Sequence, residues 1–349
     1  MSGDIIVTAE ALKDFAARVF AACDVSADDA ELWADILVWA NLRGVDSHGV
    51  LRIPRYIQTL ANGNINPRPN ITLDRRAGAI AVIDCDNAPG PVAMSRAMEE
   101  AIARAREVHI GWCIARNITH SGAIGYYAQI AAKAGMAGMV MIASRPMMAY
   151  HGSSVAALST NPLAIAVPGG EHPPLVLDMA SSAVSMGKVL EARDAGEAIP
   201  DGWALDDSGH MTNDANAASI LMPLGGAKGS SLSLMMECLV SIMGANPLIE
   251  QILRPGGDPS GFRQNGLAVA IDIEAFIGLD EYGKQIDDLA GAITALPKAE
   301  GVEKIYAPGE RGDAVLAERM KSGIPLPQGT WDRLAEAVGP LGVEMPVVG

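Results

Sequence analysis

The stretch IGWCIARNITHSGAIGYYAQIAAKAG, residues 110–135, decides how this chain folds. Its start, IGWCIA, has the apolar content of a short buried strand. Its end, AIGYYAQIAAKAG, has the alanine and aliphatic side chains of a helix that ends at Gly135. A strand, a loop and a helix in this order are typical of an α/β domain, in which ligands bind at the loops that follow the strands.

His120 lies in the loop of this unit and is the first candidate for chemistry. Gly122 and Gly125 beside it allow a ligand or another backbone to approach closely. The unpaired N–H groups at the start of the helix favour an anion. The alternative is that His120 is a surface or packing residue, because a single histidine in a loop has no necessary function.

Similar patterns surround this unit on both sides. A strand, AIAVIDC, and a helix, PVAMSRAMEEAIARAREV, precede it, and four further segments read as buried strands: GMVMIAS (138–144), LAIAVP (163–168), PLVLDMA (174–180) and GLAVAIDI (266–273). An apolar, Met-rich helix is predicted for 226–244. We therefore expect an α/β domain over residues 76–310.

The two ends of the chain are helical by pattern. Near the start, two amphipathic helices form a hairpin, and Ser26 with Asp29 resembles the capping box of the second helix. Near the end, AVLAERM and TWDRLAEAV return to helical spacing. We expect residues 1–75, completed by 311–349, to form a smaller helical domain on the substrate side.

Polar side chains crowd the segment that follows the hairpin, GVDSHGVLRIPRY. Its glycines and Pro54 prevent one continuous helix and bring Ser47, His48 and Arg52 close together. One interpretation is structural, with Ser47 capping a short helix and the arginines solvating its surface. The other is that Arg52 binds a carboxylate as a planar fork while Ser47 and His48 hydrogen-bond the substrate.

Composition excludes several classes of function. The chain has 349 residues, 49% of them hydrophobic, which is enough for a substantial core. A net charge of −15 repels phosphate backbones and anionic membranes, so we expect neither nucleic acid nor a membrane as a partner. The first residues lack a signal-peptide pattern, and a cytosolic protein is expected. The cysteines at 23, 85, 113 and 238 form no CxxC pair, so no metal site is indicated.

Two short motifs each allow a functional and a structural interpretation, whereas the dinucleotide-binding motif is missing. No Gly-x-Gly triplet occurs, so the GxGxxG fingerprint of a Rossmann fold is absent. Ser185 and Lys188 fit the SxxK signature of serine acylases without its companion motifs, and Lys188 is more simply a solvated helix residue. GGAKGSS, residues 225–231, is either a phosphate site at a helix start or a flexible turn with a solvated Lys228.

Seven collinear blocks carry a resemblance to a known family. GVDSHGVLRIPRY, HSGAIGYYA, STNPLAIAVP, PLVLDMA, IPDGWALD, PLGGAKG and APGE are spread over nearly the whole chain. Together they resemble the type 2 malate/L-lactate dehydrogenases. This resemblance implies a mixed-sheet, non-Rossmann domain that binds NAD or NADP, which agrees with the missing glycine fingerprint.

The resemblance also implies roles for individual residues. His120 becomes the catalytic acid/base, with Ser47 and His48 beside it in the catalytic site and, with Arg52, at the substrate. The cofactor contacts that it implies are Ser144, Asp178, Met179, Ala180, Lys228, Pro308, Gly309 and Glu310. The chain departs from the family pattern at Thr119 and Ser121, in GGAKGSS and over 145–154, and the first and last of these alter the substrate pocket.

The implied reaction transfers a hydride between nicotinamide and a small 2-hydroxy acid or 2-oxo acid. A histidine with an ordinary pKa of about 6.5 would exchange the hydroxyl proton near neutral pH. Asp178 could bind a ribose and favours NAD slightly over NADP. The alternatives are a reductase of a cyclic imine carboxylate, a non-catalytic nucleotide-binding relative and a Ser185/Lys188 hydrolase. A homodimer is expected from the resemblance.

Overall fold

The computed structural model describes residues 4–256 and 263–348. Helices dominate both ends of this part of the chain, and most of the strands lie between α3 and α9. The α-helices are α1 (Ala9–Ala22), α2 (Ala27–Leu42), α3 (Ile53–Ala61), α4 (Gly90–Val108), α5 (Gly125–Lys133), α6 (Met186–Ala195), α7 (Ala227–Glu237), α8 (Ile249–Leu253), α9 (Leu279–Thr294), α10 (Glu310–Ser322) and α11 (Gln328–Val338). No helix in these two ranges combines the length and the apolar composition that crossing a membrane would need.

Within the described residues, the strands fall into one large sheet, one small sheet and one isolated pair. Their bounds are β1 (Ile5–Val7), β2 (Thr72–Ala77), β3 (Ile80–Ala88), β4 (Ile110–Ile118), β5 (Met136–Ala143), β6 (Met148–Ala149), β7 (Ala156–Leu158), β8 (Leu163–Val167), β9 (Leu175–Met179), β10 (Ala204–Leu205), β11 (Met211–Thr212), β12 (Ile220–Leu221), β13 (Gln264–Asp272) and β14 (Ile324–Leu326).

The large sheet has seven strands in the order β2-β3-β4-β13-β5-β8-β9. Only β3 and β4 pair in parallel, across the crossover helix α4, and the other neighbours are antiparallel. On one face α4 and α5 pack over Cys113 and Ala115, whereas on the other α7 packs over Ile114, as the alternation of side chains along a strand requires. The expected mixed α/β architecture is confirmed.

Both ends of the chain share a second hydrophobic cluster. It joins α1, α2 and α3 to β14 and α11, and β1 pairs with β14 directly. The predicted hairpin is present, and Ser26 caps α2 by accepting from Asp29 N at 3.3 Å while its hydroxyl donates to the Asp29 carboxylate at 2.7 Å. The domain boundaries at 75 and 311 stay predictions.

The elements differ from their sequence-based bounds at several places. The strand expected over 110–115 continues to Ile118, because the pairing with β13 extends that far. The helix expected over 226–244 is α-helical only to Glu237 and becomes a π-helix at Cys238–Ile242. The buried Glu237 carboxylate there accepts from Leu248 N at 3.0 Å and from the Ser241 hydroxyl at 2.8 Å. The small sheet and β2 carry no clear pattern and were not predicted. Helix α9 has amphipathic spacing but was not predicted either.

The sheet brings the candidate loops together at one edge. The ends of β4 and β5 meet the start of the antiparallel β13, where Gln264 pairs with Ile118 and Asn265 with Ala143. His120 follows β4 by two residues and Ser144 follows β5 directly. The candidate site residues therefore lie where these three central strands meet.

Candidate active site

A cavity of about 540 Å³ opens between this sheet edge and the segment 46–56. We call residues 46–56 the helical wall and residues 119–122, 144 and 178–180 the sheet wall. Of the residues that the resemblance implicates, the cavity is lined by Ser47, His48, Arg52, His120, Ser144, Asp178, Met179 and Ala180, and Ser185 of the SxxK motif also lines it.

The helical wall is shaped by glycine and proline. Two 3₁₀ turns, Asp46–His48 and Val50–Arg52, precede α3, in whose first turn Pro54 lies. Gly49 separates the turns and must lack a side chain, since a Cβ there would lie 2.1 Å from Asn41 Oδ1. The constrained turn predicted from the sequence is confirmed.

His120 is held against the helical wall. The Tyr56 hydroxyl lies 2.7 Å from His120 Nδ1, and the His48 ring stacks on His120 with centroids 5.7 Å apart. Burial, followed by the positive charges that His48 and Arg52 can carry, lowers the pKa of His120 well below 6.5. The expectation of an ordinary histidine pKa is therefore wrong, and His120 is a neutral imidazole at pH 7.

His48 and Arg52 complete this side of the cavity. The Ser47 hydroxyl lies 2.9 Å from His48 Nδ1, and burial with the nearby Arg52 lowers the pKa of His48 to about 4. Arg52 Nε donates to the Ser47 carbonyl at 2.6 Å. A guanidinium fixed through Nε still presents two NH₂ groups, the edge that binds a carboxylate bidentately.

Tyr56 is a site residue for which the sequence reasoning gave no role. It is 3% exposed, and burial raises the pKa of its phenol, so the hydroxyl keeps its proton. The sequence does hold one signal for its role. Tyr56 follows Arg52 by four residues at the start of α3, and residues with this spacing share one side of a helix. Its contact with His120 spans 64 residues and is visible only in the fold.

Asp178 ends the sheet wall on the β9 side. Its carboxylate accepts from Gly125 N at 2.7 Å, and a Cβ at Gly125 would lie 3.0 Å from the same oxygen. The residue is open to the cavity but enclosed by protein elsewhere. This partial desolvation raises the pKa of Asp178 to about 6, against the opposing effects of Gly125 N–H and Arg43. Asp178 is thus mainly a carboxylate at pH 7.

The remaining cofactor candidates lie outside the cavity lining. Lys228 is an exposed residue in the first turn of α7. Pro308 O accepts from Val176 N at 2.9 Å, Gly309 O accepts from Arg43 Nη2 at 2.8 Å, and Glu310 pairs with Lys304 at 2.8 Å. The 308–310 turn therefore packs on β9 two residues before Asp178, and its role and that of Lys228 stay predictions.

The SxxK residues have structural partners. Ser185 caps α6 by accepting from Lys188 N at 3.4 Å, and Lys188 Nζ pairs with Glu191 at 2.6 Å. A serine acylase needs its lysine beside the serine hydroxyl. Here the ammonium group pairs with a carboxylate on the exposed side of α6.

The departure at Thr119 also has a local reason. The buried Thr119 hydroxyl donates to Ala88 O at 2.9 Å and accepts from Gly90 N at 3.2 Å. A Cβ at Gly90 would lie 2.4 Å from the His120 carbonyl oxygen, so the start of α4 packs directly on this loop. Through these two hydrogen bonds Thr119, the residue before His120, is fixed to the loop between β3 and α4.

A family model described as malate/L-lactate dehydrogenase matches residues 7–335. The chain belongs to the malate/L-lactate dehydrogenase family. The resemblance drawn from the seven blocks is confirmed. The chain is therefore an enzyme of the dehydrogenase class.

Relatives in this family carry several substrate names. The malate dehydrogenase of Pyrococcus horikoshii is 37% identical over 97% of this chain and 96% of its own length. A ureidoglycolate dehydrogenase (NAD(+)) of Escherichia coli K12 is 33% identical over 84% of each chain. The solved structure of a sulfolactate dehydrogenase from Methanocaldococcus jannaschii superimposes with a TM-score of 0.87 at 35% identity, covering 97% of this chain and 98% of that one.

Proposed function

We propose that this enzyme transfers a hydride between a nicotinamide cofactor and a small 2-hydroxy acid, and reduces the matching 2-oxo acid in reverse. The observation that carries the proposal is the arrangement of His120, Arg52 and Asp178 around one cavity. These three side chains supply a proton acceptor, a carboxylate anchor and an acceptor for hydroxyl groups.

His120 acts as the proton acceptor during oxidation. A neutral imidazole can take the hydroxyl proton only through the nitrogen that has no hydrogen. When the Tyr56 hydroxyl accepts from Nδ1–H, at the observed 2.7 Å, Nε2 is that nitrogen. When Tyr56 donates to Nδ1 instead, Nε2 carries a proton. We infer that Tyr56 accepts and so selects the tautomer in which Nε2 is free to take the substrate proton.

Arg52 binds the substrate carboxylate. Its side chain is fixed through Nε to the Ser47 carbonyl, which reduces the conformational entropy lost on binding. Ser47 and His48, joined at 2.9 Å, lie next to it as neutral hydrogen-bonding groups. A carboxylate bound here places the neighbouring carbon of a 2-hydroxy acid close to His120.

The residues of the sheet wall fit a nicotinamide nucleotide, which supplies the hydride acceptor when bound. Ser181 Oγ, directly after this wall, is buried and has no hydrogen-bond partner among the described residues. A Cβ at Gly122 would meet nothing within 4 Å, so the loop beside His120 leaves open space. We assign Ser144, Asp178, Met179 and Ala180 to the cofactor, on a largely antiparallel sheet rather than a Rossmann fold.

Cofactor choice follows from Asp178. A carboxylate accepts hydrogen bonds from ribose hydroxyls but repels a 2′-phosphate, so we propose NAD rather than NADP. The name of the ureidoglycolate dehydrogenase relative includes NAD(+). Comparing KM for NADH and NADPH tests this choice, and a strong preference for NADPH would contradict it.

Three finer statements belong to the same proposal. Lys228 and the 308–310 turn complete the cofactor site, the helical part of the chain carries the substrate, and two cytosolic copies form a homodimer. Light scattering at micromolar concentration tests the last statement. A monomeric mass would contradict it.

The decisive experiment is a panel of 2-oxo acids and cyclic imine carboxylates offered with NADH and NADPH, followed by nicotinamide absorbance. Turnover of a 2-oxo acid is the expected result. Turnover confined to cyclic imines would move the reaction to imine reduction on the same site. Binding of reduced cofactor without oxidation by any compound would overturn the proposal.

A further inference from the structure

Arg319, on α10 near the end of the chain, contacts the helical wall. Its Nη1 donates to Asp46 Oδ1 at 2.8 Å and its Nη2 to Asp46 Oδ2 at 3.1 Å. Nη1 also donates to the Asn41 carbonyl at the end of α2. The guanidinium therefore binds the Asp46 carboxylate with both terminal nitrogens, the geometry that lysine cannot reproduce.

Asn41 completes the contact from the other side. It is 1% exposed, and its Nδ2 donates to Asp46 Oδ1 at 2.6 Å while its Oδ1 accepts from Val50 N at 2.9 Å. Asp46 begins the first 3₁₀ turn and Val50 begins the second. Asn41 and Arg319 thus fix both turns that carry Ser47, His48 and Arg52.

A second ion pair fixes α10 itself. Arg43, just after α2, pairs with Asp313 on α10, and the Arg43 side chain is only 8% exposed. Arg319 is also largely buried, with a side chain that is 17% exposed. A lone pair at the surface contributes little, but two pairs whose arginines are largely buried restrain the position of α10. Arg319 consequently reaches Asp46 from a fixed helix.

We propose that Arg319, acting through Asp46, is a positioning residue that sets the place of Arg52 and hence the preference for a substrate carboxylate. This inference rests on the proposed function. Arg319 does not line the cavity, so it acts on the substrate through the turns and not by contact. Helix α10 is thereby part of the substrate-recognition machinery.

The test measures kcat/KM on a 2-oxo acid and on its amide, for the full-length enzyme with NADH. The ratio of the two values reports recognition of the carboxylate. A lower fraction of folded protein does not change this ratio, because it lowers both kcat/KM values by the same factor. Arg319→Gln should lower this ratio roughly 10-fold, since a small displacement of a binding group is costly. Arg319→Lys should give an intermediate ratio, and the Kd for NADH should change less than about twofold.

Matched variants separate positioning from general stability. Arg311→Gln removes the same charge from an exposed position of the same helix and should leave the ratio unchanged. Asp46→Asn, which keeps the volume, should reproduce the effect of Arg319→Gln if that variant folds poorly. In an Arg52→Lys background, Arg319→Gln should lower the ratio no further, since Arg52 is the group it positions.

The outcomes are distinguishable. An unchanged ratio in both Arg319→Gln and Asp46→Asn, with an active wild type, would overturn this inference alone. Equal further losses in the Arg52→Lys background would also overturn it, because Arg319 would then act independently. A wild type that turns over no 2-oxo acid would overturn the proposed function together with this inference.

Discussion

On the helical wall of the cavity, the turns over 46–52 have a few backbone hydrogen bonds of their own, and side chains anchor them further: Asn41 and Arg319 bind Asp46, and Arg52 binds the Ser47 carbonyl. On the sheet wall, β4, β5 and β9 are held by the backbone ladders of a seven-stranded sheet. Both walls contribute polar groups to the same cavity. They differ in what keeps those groups in place.

The difference separates two kinds of sensitivity to substitution. A backbone ladder forms with almost any side chain, whereas a turn held by side chains depends on each of them. Substitutions in or behind the helical wall should therefore change how the substrate binds. On the sheet wall, only side chains that touch a ligand should affect the reaction, and the others should affect stability.

The largest effect is expected at His120, where the two walls meet. Replacing it with alanine removes the proposed general acid/base and should lower kcat by about 10²–10⁴-fold, while the Kd for NADH stays nearly unchanged. Steady-state turnover and nicotinamide fluorescence measure the two quantities. Near-normal kcat between pH 6 and 9 would show that another group exchanges the proton.

Arg52→Lys tests the helical wall at its substrate contact. Loss of a bidentate pair with a buried carboxylate costs roughly 2–5 kcal/mol, so kcat/KM on a 2-oxo acid should fall about 30-fold or more. The corresponding amide should lose much less. If kcat/KM falls equally on the acid and on the amide, Arg52 is a structural residue. The helical wall would then not differ from the sheet wall in how it responds to substitution.

The pH dependence follows from the lowered pKa of His120. Oxidation needs the neutral imidazole, which is present throughout the range above pH 6.5, so its kcat/KM should stay flat from pH 7 to 9. Reduction needs the protonated form, whose fraction falls about tenfold per pH unit above the pKa, and its kcat/KM should fall accordingly. Rate profiles in both directions measure this. An inflection at pH 7 or above in the oxidation profile would contradict a neutral His120.

Tyr56→Phe removes the hydroxyl that contacts His120 Nδ1. A lost hydrogen bond of about 1 kcal/mol should lower kcat roughly fivefold, with little change in the Kd for NADH. Tyr126→Phe is the control, because its hydroxyl donates to Asp35 at 2.9 Å and does not line the cavity. A kcat equal to wild type in Tyr56→Phe would mean that Tyr56 does not select the tautomer.

The smallest effect on turnover is expected at Thr119, in the sheet wall. Thr119→Val keeps the shape but leaves Gly90 N without its acceptor, which should lower the free energy of unfolding by about 1–2 kcal/mol. Turnover should change less than about threefold, and Thr119→Ser should resemble wild type. Denaturant unfolding and kcat measure the two effects. A larger loss of turnover than of stability would place Thr119 among the residues that handle the substrate.

Much of the fold was predictable because its signals are local. Buried strands such as β4 and β13 are continuous apolar runs, and α1 and α2 carry their apolar faces and caps in the sequence. The edge strand β2, with every residue exposed, and the two-residue strands of the small sheet have no such run. Their pairing is fixed by neighbours that are distant in sequence.

The sequence by itself determined that this chain has a mixed α/β fold, that it belongs to the malate/L-lactate dehydrogenase family and that His120 and Arg52 are candidates for its chemistry. Apolar periodicity and the residues of a motif are local, so both can be read from the sequence without the fold. The contact of Tyr56 with His120, the lowered pKa of that histidine and the ion pair of Arg319 with Asp46 were decided by the tertiary structure. Each joins residues 64 to 273 positions apart or depends on burial, and chain folding alone creates both conditions.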